Sequence, residues 1–286
     1  MGLPGTSVRA VLAPAERARP GNTHVAASVA VRSSPDAFDG YVARTPVAYA
    51  LFRTAESHAL GGLRLSRPVL DVGCGVGDFA AFALSAPVDA GVDLLGDRLA
   101  LARSRGVYSG LAQTDAAALP LADATFATVI SVSVLEHVRR PVEAVTEAFR
   151  VLRPGGRFLV TIVLSDLHAY LFYPWVFRRL RMPWLARRYA RLHDWVFQHM
   201  TLQGQEEWER MIRAAGFHIV ESRRIVCPRL TRWFDFLLII AWPYKLMQCI
   251  GIAHPRFFAR GGSDEGFGTG SGRSSRTTPA KGVPCY

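Results

Sequence analysis

Asp71, Gly73, Gly75 and Gly77 stand at alternate positions in VLDVGCGVG, residues 69–77. Asp93 closes a second apolar run, VDAGVD, about 20 residues further on. Glycines at this spacing make a turn without side chains, so backbone amides can lie against a bound ligand. The carboxylates say which kind. A dinucleotide fingerprint, G-x-G-x-x-G, would place its third glycine where the chain has Asp78. A carboxylate there, and another at Asp71, would repel a pyrophosphate but attract an ammonium or a sulfonium. Asp93, at a strand end, can accept hydrogen bonds from both hydroxyls of a ribose. A ligand with a ribose, two cations and no phosphate fits this pattern, and S-adenosylmethionine is such a ligand.

Three further blocks follow the glycine turn: GVDLLGDRLALAR (91–103); the run from Asp115 through LPLADATF to Ser131, with Leu135-Glu136-His137-Val138; and EAFRVLRPGGRFLV (147–160). In this order the four blocks resemble the class I S-adenosylmethionine-dependent methyltransferases, in style the small-molecule branch that includes the ubiquinone and menaquinone methylating enzymes. The resemblance implies a Rossmann-like, doubly wound, mostly parallel α/β sheet that uses S-adenosylmethionine for methyl transfer. It implies that Asp71, Gly73, Gly75 and Gly77 border the methionine part of the cofactor, with Asp71 near its amino group. Asp93 would hold the ribose, Leu94 would pack on the adenine, and Asp115 with Ala116 would lie at the adenine amino group. Ser131 and Val132 would close the pocket under the methyl donor. His137 takes the general-base position, against the simpler reading of a structural histidine in its turn. Two positions depart from the family pattern: Ala127 stands where an acid usually follows Phe126, and Gly96 replaces the usual helix-capping Ser or Pro.

The elements that must hold these residues are written as periodicity. Strands are expected at 69–72, 88–92, 107–111, 127–132 and 157–163, and helices at 78–84, 97–105, 141–152 and 204–215, before a last strand at 217–226. This alternation argues a parallel sheet with helices on both faces. Over 141–152, Val142, Val145, Phe149 and Leu152 form an apolar stripe, and Arg153-Pro154-Gly155-Gly156 reads as the stop. Residues 36–60 read as a leading helix over the cofactor, with Tyr41, Tyr49 and Phe52 available to a lid. The methyltransferase domain is expected to span 36–258, between a disordered extension at 1–35 and a flexible Gly/Ser/Thr-rich tail at 259–286.

Two regions exceed the bare cofactor fold. The insertion 164–203 mixes aromatics with arginines and reads as a helical cap over the substrate, in which Tyr173, His193 and His199 are candidate substrate contacts and Asp194 could orient His193. The apolar segment 233–253 is interrupted by Asp235, Pro243 and Lys245, a poor pattern for a membrane span. It reads as the family's antiparallel last strand, a packed helix or a monotopic anchor.

At 286 residues and 50% hydrophobic, the chain can bury one large core. Its net charge of +11 suits a polyanion or a membrane surface, or simply reflects an arginine-rich composition. The expected fourth strand runs into SVSVLEHV rather than the Asn/Asp-Pro-Pro-Tyr/Phe signature of base amino methylation, which argues against nucleic acid as a partner. The expected partner is a small-molecule substrate, with peripheral membrane contact left open. Four cysteines without a C-x-x-C pair, and no histidine at ligand spacing to them, predict no metal site and a reducing, cytoplasmic setting. The predicted reaction is O- or C-methylation of a small lipophilic metabolite. The alternative is a non-methylating protein of the same fold that serves another enzyme as a binding or scaffold partner.

Overall fold

A computed structural model of the chain describes residues 7–14, 27–32 and 36–249. Its elements run β1 (Ser7–Pro14), β2 (Ser28–Ala30), α1 (Asp36–Val42), α2 (Val47–Leu60), β3 (Arg64–Ser66), β4 (Val69–Val72), α3 (Asp78–Ala83), β5 (Val88–Asp93), α4 (Gly96–Ser104), β6 (Tyr108–Gln113) and β7 (Phe126–Val132). A short 3-10 turn, Leu135–His137, precedes α5 (Pro141–Val151), β8 (Leu152–Val163), α6 (Leu167–Tyr170), α7 (Phe172–Arg179), α8 (Pro183–Phe197), α9 (Gln205–Ala214), β9 (Phe217–Arg224) and α10 (Pro228–Cys249).

Seven strands form one sheet in the order β6-β5-β4-β7-β8-β1-β9. β6, β5, β4, β7 and β8 pair in parallel, as the strand–helix alternation predicts. Successive side chains of a strand point to opposite faces, and the core divides accordingly. Leu70, Val129, Phe158 and Val160 pack with Val145, Trp208 and Ile212 on one face. Val69, Ile130, Val132 and Leu159 pack with Leu60, Leu65 and Ala80 on the other.

Several details differ from the sequence expectations. The helix α5 buries Pro141, Ala144, Val145, Ala148 and Val151, whereas Val142 is exposed, so its apolar stripe is centred one position earlier than the large residues suggest. β8 begins at Leu152: Phe126 faces Leu152 while Thr128 faces Arg157, and the expected stop at 153–156 becomes an irregularity inside a strand. The leading helix is two helices, α1 and α2, separated around Thr45-Pro46, since a residue before proline is pushed out of the α region. Tyr41 is core rather than lid, with its ring edge-on to Phe82 and its hydroxyl 3.3 Å from Ser57 Oγ.

The N-terminal expectation is also revised. Ser7–Pro14 is an antiparallel strand between β8 and β9, and Ser28–Ala30 pairs with β3. β1 runs against both neighbours, so β8 and β9 are mutually parallel and β1 satisfies the facing backbone groups of each. The resemblance offered residues 236–242 as an antiparallel last strand; they lie instead inside the helix α10. Among the described residues, no helix is long and apolar enough to cross a membrane. Residues 250–253 of the apolar segment and the tail at 259–286 lie outside the described residues.

Candidate active site

The glycine turn connects β4 to α3, as its sequence predicts. Gly73, Gly75 and Gly77 all have positive φ, at +78°, +56° and +79°. The glycines are not equivalent. A Cβ on Gly73 would come within 2.4 Å of the Val134 side chain, whereas a Cβ on Gly75 would meet no protein atom within 4 Å. Gly73 is therefore bare because the fold is tight there, and Gly75 presents bare backbone to open space.

Two carboxylates flank this turn. Asp93 Oδ2 accepts the Gly75 N–H at 2.9 Å and its Oδ1 accepts the Leu95 N–H at 3.0 Å, which fixes the carboxylate at the end of β5. Asp71 is buried at the end of β4 and accepts the Tyr108 hydroxyl at 2.7 Å. Burial pushes the Asp71 carboxyl up to about 7, with the hydrogen bond from Tyr108 opposing the rise and the charge of Asp93 adding to it. Tyr108 is a residue the sequence reading missed. Its ring fills the space left by Gly91 and packs beside Gly77, a relation between β5 and β6 that no local motif carries. The Cys74 thiol inside the turn is pushed well above its ordinary range, first by burial, and is thereby kept unreactive.

Leu94 is exposed beside Asp93, available to cover a flat ring. Gly96, the departure noted above, has a packing reason: a Cβ there would stand 2.8 Å from Gln113 Oε1, whose amide nitrogen donates to the Leu94 carbonyl at 3.0 Å. Asp115 lies after β6 and accepts the Ala117 N–H and an Arg140 guanidinium N–H, both at 2.9 Å. These bonds, the backbone one first, hold its carboxyl below its ordinary value. Ala116 is half-buried next to it. Ser131 and Val132 are the last residues of β7 and are buried, and Ser131 Oγ has no hydrogen-bond partner among the described residues.

Beyond β7 lies a group of ionisable residues. Glu136 is buried, and neither carboxylate oxygen has a hydrogen-bond partner among the described residues; burial pushes its carboxyl up to about 7. His137 Nδ1 is 3.1 Å from the Gln198 carbonyl. A carbonyl only accepts, so Nδ1 donates in this contact, and Nε2 lies 4.0 Å from Glu136 Oε1. The His199 ring stacks on His137 at 5.4 Å between centroids and on Phe197 at 5.9 Å. The cap expected over 164–203 is thus folded against this turn, and the Met200 and Thr201 amides donate to the Glu136 carbonyl.

The candidate substrate contacts separate in space. His199 reaches His137, and His193 is enclosed behind it, with ring centroids 5.7 Å apart. Tyr173 faces α10 instead: its backbone N–H donates to Asp235 Oδ2 at 3.0 Å and its hydroxyl lies 3.5 Å from the Phe236 carbonyl. Asp194 is aimed chiefly at two other histidines. Its Oδ1 pairs with His168 Nε2 at 2.8 Å and His199 Nδ1 at 3.1 Å, and the His193 nitrogen is 4.0 Å away.

Two buried acids outside every motif hold the site's elements together. Glu56, on α2, accepts Ser133 Oγ at 2.6 Å and Thr161 Oγ1 at 2.9 Å through Oε1, and Arg53 Nη1 at 2.8 Å through Oε2, fastening α2 to the ends of β7 and β8. Asp235, on α10, accepts the Tyr189 hydroxyl at 2.6 Å as well as the Tyr173 N–H, fastening α10 to the cap. Isolated acids in amphipathic helices give no sequence signal of such roles.

A methyltransferase domain family matches residues 70–160, which include the glycine turn, Asp93, Asp115 and the turn at His137. The ubiquinone/menaquinone biosynthesis C-methyltransferase UbiE of Roseobacter denitrificans is 38% identical over 183 residues, spanning 57% of this chain and 70% of that protein. O-methyltransferase resE of Aspergillus sclerotiorum is 27% identical over 175 residues, spanning 56% of this chain and 60% of that protein. A SAM-dependent methyltransferase of Thermotoga maritima superposes with a TM-score of 0.40 at 27% identity, over 52% of this chain and 63% of that one. The chain belongs to the class I S-adenosylmethionine-dependent methyltransferases. It is accordingly an enzyme that takes its methyl group from S-adenosylmethionine.

The residues present fit that cofactor. Open space beside the Gly75 backbone, with the carboxylates of Asp71 and Asp93 on either side of the turn, suits a ligand that carries cations.

Proposed function

We propose that this enzyme methylates an oxygen or carbon of a small lipophilic acceptor, with His137 receiving the proton that the acceptor loses. The observation that carries this reading is the continuous stack Phe197, His199, His137, which joins an aromatic wall to the His137 imidazole. Tyr49 and Phe234 extend that wall, with rings 5.8 Å from Phe197.

Asp71, Gly73, Gly75, Gly77, Asp93, Leu94, Asp115, Ala116, Ser131 and Val132 would hold the cofactor, whose sulfonium supplies an already activated methyl group. The chain's remaining task is alignment and exclusion of water. The apolar cap residues exclude water, and His137 Nε2, with its tautomer set by the Gln198 carbonyl, takes up the acceptor proton. Glu136 beside it stabilises the imidazolium that results. A neutral amine would need no such base before transfer, which is why an oxygen or carbon acceptor is preferred.

The test has two stages. Calorimetry should show S-adenosylmethionine binding that weakens at least tenfold, about 1.4 kcal/mol, in Asp93→Ala. Methyl transfer from labelled cofactor should then favour lipophilic phenols and quinols over hydrophilic amines. His137→Gln should lower kcat by about 10²–10⁴ at unchanged cofactor affinity. Transfer confined to hydrophilic amines, or a fully active His137→Gln, would overturn the reading.

A further inference from the structure

The cap contains a second polar cluster that methyl transfer does not use. His168 on α6, and His193 and Asp194 on α8, each offer one ligand atom, and these atoms all lie within 4.8 Å of one another. His168 Nε2 is 2.8 Å from Asp194 Oδ1, and His193 Nδ1 is 4.0 Å from the same oxygen. His193 is the anomaly. Its side chain is 1% exposed, yet neither ring nitrogen has a hydrogen-bond partner among the described residues. Buried polar groups are normally satisfied, so an enclosed imidazole with both nitrogens unanswered points to a group that would answer one of them.

We propose that His168, His193 and Asp194 form a binding site for a divalent transition-metal ion of the zinc class, which staples α6 to α8 within the cap. Two imidazole nitrogens and one carboxylate oxygen are a borderline donor set, suited to zinc and its neighbours and poorly suited to magnesium or calcium. Metal–ligand bonds of about 2.1 Å meeting at a tetrahedral angle set ligand atoms about 3.4 Å apart. The 2.8 Å and 4.0 Å separations fall on either side of that value. His199 Nδ1, 3.1 Å from Asp194 Oδ1, completes the site as a positioning residue, the outer hydrogen-bond partner that metal-bound carboxylates require.

The sequence predicts no metal here because the cysteines are scattered and His168 is far from Asp194 along the chain. Only the packing of α6 against the end of α8 assembles the three. The staple is independent of the acceptor reading: it concerns the cap's order, and it holds whether or not His137 is the base.

The experiment uses the full chain without a histidine tag, stripped with a chelator and titrated with Zn²⁺ and with Co²⁺. We expect one equivalent of either ion to bind, a cobalt absorption spectrum with the intensity of a four-coordinate nitrogen–oxygen site, and a rise in the thermal midpoint. His193→Gln, Asp194→Asn and His168→Ala should each weaken zinc binding at least tenfold, while His218→Ala, on β9, should leave it unchanged. Because His168 is half-buried on a short helix, its variant tests the site even where a change at His193 disturbs folding. No binding by a folded wild type, or equal affinity in His168→Ala and wild type, would overturn the proposal and leave the cluster as a hydrogen-bonded network around bound water.

Discussion

Asp71 shows at residue scale what burial does to a carboxyl. In the folded chain its carboxyl is raised from 3.8 to about 7, and Glu136 is raised from 4.5 to about 7, both first by burial. A raised folded-state value means that the associated stability is full in acid and is lost as pH climbs from about 4 to about 7. The thermal midpoint of the ligand-free protein should therefore fall between about pH 4 and pH 7. It should fall less in Asp71→Asn, and less again when Glu136→Gln is added; an equal fall in the double variant would show that neither carboxyl titrates there. Cofactor binding should respond with the opposite sign. If Asp71 faces the ammonium of S-adenosylmethionine, binding draws off its proton, so affinity rises over the same pH range. The turn glycines make a sharper comparison. Gly75→Ala meets no protein atom and should cost the fold only the left-handed backbone penalty, about 1–2 kcal/mol, while obstructing the cofactor. Gly73→Ala drives a methyl into Val134 and should unfold the protein more readily than it changes affinity, as denaturant titration with and without cofactor would separate.

At the scale of elements, the cap and α10 are held by one buried carboxyl. Asp235 interrupts an otherwise apolar run in the sequence, yet it is fully buried between the Tyr173 amide and the Tyr189 hydroxyl, beside an apolar contact of Phe234 and Leu238 with Ala48 on α2. Asp235→Ala leaves both donors unanswered and should cost about 1–3 kcal/mol. Limited proteolysis should then cut within α7 or α8 faster than in the wild type, while cofactor affinity is retained; unchanged cleavage would mean that the apolar contact alone holds the cap. This residue also marks where sequence reading stops. The parallel strands, the glycine turn and Asp93 are legible because each is a local pattern: apolar runs, alternate glycines, an acid at a strand end. Glu56, Tyr108, Asp194 and Asp235 are not, because each acts on partners more than 20 residues away, or across a helix junction, and burial alone gives it meaning. The β1 strand is hidden for a related reason. Its short run SVRAVLAP resembles any loop until β8 and β9 leave a place for it.

For the whole molecule, the way the helices pack around the sheet decides which apolar groups stay exposed. β1 fills the antiparallel position beside β8, and the apolar C-terminal segment is thereby free to form α10 and pack across α2 and α7. Large apolar groups stay exposed on α8 and α10: Trp184 and Trp195 on α8 are 56% and 67% exposed, and Trp233 on α10 is 59% exposed. Trp184 and Trp195 are eleven residues apart, three helical turns, so they project from one face of α8. Arginines accompany them at 187, 188 and 191, and the chain as a whole carries +11. Indole rings beside guanidinium groups suit the headgroup level of an anionic bilayer, with the rings entering the interface and the arginines meeting lipid phosphates. A lipophilic acceptor would be most concentrated at that surface. The expectation is that the protein sediments with vesicles containing phosphatidylserine, less so as salt is raised, and not with neutral vesicles. Trp184→Ala/Trp195→Ala should weaken binding without changing its salt dependence, whereas replacing Arg187, Arg188 and Arg191 with Gln should flatten that dependence. Binding to neutral vesicles as strong as to anionic ones would assign the attraction to the apolar groups alone. Failure to bind either would leave the exposed tryptophans as a surface for another protein.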